Sequence, residues 1–175
     1  MYNTAKKLAE ENGWFFAQQF ENAANADIHE STTAQEILSD FKDAALDYWV
    51  TGYGTGGTVT GVARALRRDR PDCKIILSEP HNATLVGSGV ARERNKGDSP
   101  KGSHPAWEPH VIQGWTPDFI PKVLQEGIDS AFFDEVCPVD GMKGMAMAHH
   151  LAAKEGILTG VSGGSTLTTA VEVAE

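Results

Sequence analysis

Five consecutive residues, Gly54-Thr55-Gly56-Gly57-Thr58, have the composition a phosphate site needs. Glycines let a backbone come close to an anion and take the turns this requires, and threonine hydroxyls add hydrogen-bond donors. A short apolar run, Leu46 to Val50, precedes them, and Val59 to Arg68 follows with Val59, Val62, Ala63 and Leu66 on one helical face. The segment therefore sits where a strand hands over to a helix. A helix N-terminus carries unpaired amide hydrogens and a partial positive charge, so it attracts anions. The plainer alternative is that the glycines only permit a tight strand-to-helix turn.

Spacing does not say whose phosphate it is. No Lys-Ser or Lys-Thr follows the last glycine, so a nucleotide P-loop is excluded. Gly52, Gly54 and Gly57 do satisfy G-x-G-x-x-G, and Glu79 ends the next apolar run, where a ribose-binding acid would stand. A dinucleotide site thus fits the same pattern. Metal chemistry has less support. His149 and His150 are adjacent on an expected helix and cannot face one ion. His81, His104 and His110 lack a carboxylate or cysteine at ligand spacing, so no metal site is expected. Met142, Met145 and Met147 read as adaptable packing.

The elements that must position the glycine segment can be read from periodicity and punctuation. Thr4 to Asn12 predicts a helix stopped by Gly13, and Trp14 to Gln18 a short strand. A loop over Glu21 to Asp27 leads to a helix capped at Ser31-Thr32-Thr33, with Glu36 completing a capping box with Thr33 and the end near Lys42. After the strand at Leu46 to Val50 and the helix at Val59 to Arg68, Pro71-Asp72 breaks the chain and Cys73 to Ser78 forms the next strand. His81 to Pro121, rich in proline and glycine, reads as one long functional loop. A strand at Phe132 to Val139, a helix at Gly141 to Glu155, a strand at Ile157 to Val161 and a helix after Ser162-Gly163-Gly164-Ser165 complete the pattern. Strand, glycine loop, helix, strand in that order implies an α/β fold, a mostly parallel sheet with helices on both faces.

Bulk properties narrow the partners. The chain has 175 residues, 41% of them apolar, enough for a single domain with a real core. A formal net charge of -9 argues against nucleic acid as a ligand. The basic cluster Arg64, Arg67, Arg68 and Arg70 falls at a helix C-terminus, where cations complement the dipole. No apolar run is long enough to span a bilayer, and Met1 to Glu11 is too polar for a secretory signal. Two cysteines, Cys73 and Cys137, do not make a disulfide framework, so a cytoplasmic location is expected.

Four separated segments together resemble cysteine synthase, the O-acetylserine sulfhydrylase branch of the fold-type II pyridoxal-phosphate enzymes. They are Gln18 to Asn25 with Ile28-His29-Glu30, Thr51 to Gly61, His110 to Gly114 leading to Phe119-Ile120-Pro121, and Glu155 to Ser162. Their order and approximate spacing match the family, which decides against the dinucleotide alternative. The resemblance implies a partial fold-type II enzyme, mainly its larger domain, with pyridoxal 5'-phosphate as cofactor. It implies that Gly54, Thr55, Gly56, Gly57 and Thr58 hold the cofactor's phosphate, and that Ser162 bonds its pyridine nitrogen. A serine in that place could equally cap the final helix. Gln19 and Phe20 match residues near the substrate carboxylate, and Gly114 a glycine at the active-site mouth. Trp115-Thr116-Pro117-Asp118 departs from the family's glycine- and alanine-rich stretch.

The family's Ser-x-x-Lys segment, whose lysine holds the cofactor covalently, and its Thr-Ser-Gly-Asn loop have no counterpart here. Lys122, Lys143 and Lys154 do not stand in a matching context. The resemblance thus implies a chain truncated at both ends, with Met1 corresponding to a point inside the family's sequence and no catalytic residue to assign. It implies an intact enzyme that replaces the acetate of O-acetylserine with sulfide, and a polypeptide that is inactive alone. Cystathionine β-synthase, a diaminopropionate-forming enzyme and a non-catalytic binding module are the alternatives. Apolar surface left uncovered by the missing parts should drive dimerisation or self-association.

Overall fold

The structure, a computed structural model, describes residues 2–91 and 101–175. The elements are α1 (Tyr2–Asn12), α2 (Ala24–Ser31), α3 (Thr33–Asp40), β1 (Tyr48–Gly52), α4 (Gly57–Asp69), β2 (Lys74–Pro80), α5 (Lys122–Asp129), β3 (Glu135–Val139), α6 (Gly141–Glu155) and α7 (Val161–Ala174). The strands form a parallel sheet in the order β1-β2-β3, with Val50 beside Ile76 and Leu77 beside Val136. The central strand is buried on both faces, as a parallel sheet between helices requires. Ile75 and Leu77 point to one face and pack with Val59, Val62 and Leu66 of α4. On the other face Ser78 exchanges a 2.7 Å hydroxyl hydrogen bond with Thr169 of α7. The α/β architecture with helices on both faces is thus present.

Two expected strands do not form. Residues 14–18 and 157–160 join no sheet among the described residues, and both are strongly exposed, with Phe15 and Leu158 each at 87%. An extended segment becomes a strand only when a neighbour takes up its amide and carbonyl groups. α1 does end at Gly13, in the left-handed conformation that glycine favours (φ +66°). The Thr33–Glu36 capping box is also absent. Thr33 lies inside α3, and the Thr32 hydroxyl bonds back to the Ile28 carbonyl at the end of α2. α2 itself occupies part of the expected loop, started by Asn22, whose side chain accepts from Ala24 N–H. α5 was not legible because it is short and carries Gly127 inside it. That glycine leaves room for the Phe133 ring. Of the long loop, residues 92–100 lie outside the described set; the rest holds only an isolated bridge, Ala83 to Trp107.

Of the basic cluster, Arg64 and Arg67 are bound into the fold, while Arg68 stays exposed in the last turn of α4. Arg64 pairs with Asp27 and Glu30 of α2 and with Glu126 of α5, so it ties three helices together. Arg67 donates to the carbonyls of Phe132 and Cys73 and to the carboxylate of Asp134. Among the described residues no helix is long and apolar enough to cross a membrane.

Asp134 gathers the Arg67 guanidinium, the Lys74 ammonium and the Ile75 amide at the N-terminal end of the sheet. Desolvation alone would raise its carboxyl, but these donors outweigh it and hold the group at about 2. A depressed carboxylate stabilises the fold above its unfolded value, and that contribution disappears as pH falls through the folded one. Asp134→Asn is expected to cost about 1–2 kcal/mol at pH 7, discounted for partial exposure. In urea unfolding, the gap between variant and parent should narrow as pH falls from about 4 to about 2. A gap independent of pH would show that the carboxylate charge is not what stabilises.

Candidate functional site

Because all three strands are parallel, their C-terminal ends open on one edge, where ligands bind in sheets of this kind. The glycine segment leaves β1 at that edge and enters α4 at Gly57. Each of its glycines is required by a neighbour. Gly56 takes φ +87°, and a Cβ there would lie 2.6 Å from Cβ of Leu124 in α5. A Cβ on Gly54 would collide with the Gly114 carbonyl, and one on Gly57 with the Asn25 amide. The tight turn is therefore real, and so is access. Thr58 is exposed and Gly54 and Thr55 are half-buried, so the amino end of α4 remains open to an anion.

Asn25, at the start of α2, organises the polar side of this turn. Its Nδ2 donates to the Gln19 carbonyl at 2.8 Å and to Thr55 Oγ1 at 2.9 Å. Thr55 Oγ1 also accepts from the Gly57 amide at 3.2 Å. A hydroxyl has two lone pairs and one proton. With both lone pairs occupied, only the Thr55 proton is left to give, so the residue is set as a donor. Thr58 Oγ1 lies 3.2 Å from His29 Nε2, and His29 Nδ1 lies 2.9 Å from Thr33 Oγ1. Asn25 and His29 had no assigned role in sequence. No local sequence signal marks them, because their partners Thr55 and Thr58 lie about thirty residues further on.

The other expected residues are placed unequally. Gln19 is exposed, and its carbonyl joins the network through Asn25. Phe20 packs edge-on against Phe119 at 5.1 Å, and its carbonyl accepts the Val123 amide. Gly114, at φ +85°, brings its carbonyl against Gly54. Ser162 lies in the first turn of α7, while Gly160 is the N-cap, so the serine is not the helix cap. The hydrogen bonds that join Gln19, Asn25 and Thr55 do not extend to it among the described residues.

The Trp115 departure is a repacking onto the strand end. Its indole lies over Gly52, where any Cβ would strike the ring. Glu79, the acid a dinucleotide site would need, is fully buried. It accepts from Tyr53 Oη at 2.7 Å, Val86 N at 2.8 Å and Gly87 N at 2.9 Å, and its complete burial keeps it out of reach of a ribose. The histidines of the long loop serve that loop. His104 Nε2 meets the Val90 carbonyl and its Nδ1 accepts from Ala106, and His110 meets the Thr116 carbonyl.

Known proteins share the sequence and fold of this chain. Residues 1–175 match the family described as pyridoxal-phosphate dependent enzyme. O-ureido-L-serine synthase of Streptomyces lavendulae is 42% identical over 171 residues, covering 98% of this chain and 47% of that protein. Cysteine synthase of Staphylococcus aureus is 35% identical over 171 residues, covering 98% of this chain and 49% of that one. A crystal structure of O-ureido-L-serine synthase superposes with a TM-score of 0.84 at 40% identity, over 99% of this chain and 48% of the other. Cysteine synthase from Entamoeba histolytica gives 0.76 at 32% identity, over 95% and 43%. The chain spans about half the length of the relatives it matches. A match along all 175 residues, on a fold shared over the same length, places this polypeptide in the family of pyridoxal-phosphate dependent enzymes.

Proposed function

We propose that the chain is the cofactor-phosphate-binding part of a cysteine synthase, an enzyme that replaces the β-substituent of O-acetylserine with sulfide. The observation that carries this is the Thr55 hydroxyl, set as a donor by Asn25 and Gly57 at the open end of α4. Gly56 and Thr58 present backbone amides to the phosphate, Gly57 spends its amide on Thr55 Oγ1 and so aims that hydroxyl, and Gly54 lets the chain approach. Pyridoxal phosphate, when bound, supplies the electron sink for breaking and making bonds at the serine β-carbon. Ser162, in the first turn of α7, would be the residue to bond the pyridine nitrogen. Gln19, Phe20 and Gly114 line the side from which the substrate carboxylate enters. Synthesis of O-ureido-L-serine is the second reading, favoured by the 42% identity to the Streptomyces protein. The two differ in the nucleophile delivered, and the Trp115 wall is where this chain would choose between them.

The proton removed from the substrate α-carbon needs a base, and two of the described lysines are engaged elsewhere. Lys74 is paired with Asp134 at the opposite end of the sheet, and Lys143 with Glu172 on α7. The 175-residue polypeptide alone is accordingly proposed to bind the cofactor without turning over. Its purified form, supplied with pyridoxal phosphate, O-acetylserine and sulfide, is expected to make no cysteine above the uncatalysed rate. Sustained cysteine formation would sink this part of the proposal.

Thr55→Val keeps the shape and removes the donor, so pyridoxal phosphate binding, followed by absorbance titration, should weaken by about tenfold. Unchanged affinity would move the phosphate elsewhere. Gly56→Ala meets both the left-handed backbone and Leu124 and should cost about 2–4 kcal/mol in urea unfolding. Trp14, Phe15 and Leu158, at 62%, 87% and 87% exposure, are the large apolar side chains that favour self-association. Sedimentation is expected to show dimers or larger species, and a single monomeric boundary would refute this.

A further inference from the structure

Tyr53 stands between Gly52 and Gly54, within the turn from strand to phosphate loop, yet it is only 2% exposed. Its ring packs with Val59, Leu77 and Leu85, a setting that phenylalanine would fill without a hydroxyl to satisfy. The hydroxyl donates to Glu79 Oε1 at 2.7 Å and also interacts with the Thr116 side chain. Glu79 is itself withdrawn completely from water, which is destabilising unless its lone pairs are met. They are met by Tyr53 and by the amides of Val86 and Gly87 in the loop after β2. Neither side chain reaches the exposed edge where a ligand would sit. Burial pushes the Tyr53 phenol well above its ordinary value, reinforced by the Glu79 charge, so the phenol remains the donor.

Tyr53 is also held by its backbone. Its carbonyl accepts the Thr116 amide at 2.8 Å. Thr116 is 1% exposed and adopts φ +36°, a region that a β-branched residue rarely occupies. Its own carbonyl is fixed by Trp107 Nε1 at 3.0 Å and His110 Nε2 at 3.1 Å. Strain of this kind persists only where the surroundings over-determine the geometry. Two loops that do not carry the phosphate donors therefore converge on the single residue from which the phosphate loop departs.

We propose that Glu79 is a positioning residue for the phosphate loop, acting through the Tyr53 hydroxyl to fix where the Gly54 and Thr55 backbone leaves β1. It rests on the assignment of that loop to the cofactor's phosphate. The ligand class is a phosphate monoester dianion, whose recognition depends on amide positions to within a fraction of an ångström.

The test is binding of inorganic phosphate and of pyridoxal 5'-phosphate to the 175-residue chain, by calorimetry, alongside thermal melting. Tyr53→Phe keeps the ring and removes the hydrogen bond, Glu79→Gln alters the acceptor, and Ile75→Val, in the other core cluster, is the stability control. Tyr53→Phe and Glu79→Gln are each expected to weaken phosphate binding by about tenfold, and the double variant no further, because both act through one contact. The control should lower the melting temperature while changing affinity by less than about twofold. Tyr53→Phe that binds like the parent, a control that loses affinity in proportion to its melting temperature, or a double variant with multiplied losses would each overturn the proposal. If Glu79→Gln does not fold, Tyr53→Phe against the control decides alone. A parent chain that binds neither probe removes the cofactor assignment and this inference together, whereas a parent that binds and a Tyr53→Phe that is unaffected removes only this inference.

Discussion

The constraint on which the site depends is backbone contact without intervening side chains. Between β1 and α4 the main chain touches three other parts of the molecule at successive points: Gly114 at Gly54, Leu124 at Gly56 and Asn25 at Gly57. Such contact is open only to glycine, and it explains both the density of glycines and their order. It also reconciles two accounts of the segment. The glycines do serve a tight turn, and the tight turn is what presents the amino end of α4, with Thr55 and Thr58, to an anion.

Much of this was visible in sequence because it is local. The turn between an apolar run and an amphipathic helix gave away the strand, the loop and α4, and the alternation of such units gave the parallel sheet. Gly141 to Glu155 was bounded correctly, since Asp140 caps it and Gly156 ends it in the left-handed conformation. What failed was what depends on partners far along the chain. Residues 14–18 and 157–160 have strand composition but no strand beside them among the described residues. Thr33, expected to open a capping box with Glu36, lies inside α3, and the neighbouring Thr32 hydroxyl bonds back to the Ile28 carbonyl of the preceding helix. Asn25 and His29 matter through residues about thirty positions away, a distance that no periodicity reports. The resemblance to cysteine synthase reached the right family but did not distinguish a cysteine synthase from a synthase of O-ureido-L-serine.

Arg64 extends the same logic outward. By pairing with α2 and α5 from α4, it holds together the helix that carries Asn25 and the helix that carries Leu124. Partly buried ion pairs are weak sources of stability, but they discriminate well between alternative packings. The phosphate turn is thus enclosed on two sides by elements locked to the helix it begins.

The indole of Trp115 lying on Gly52 has an evolutionary consequence. The ring occupies the space a side chain at residue 52 would take, so neither position can drift alone. Enlarging residue 52 evicts the tryptophan and displaces the adjoining Gly114 carbonyl from Gly54, while shrinking the tryptophan leaves a hollow over the strand end. A change at either position therefore calls for a compensating change at the other, which makes Gly52 and Trp115 a coupled pair.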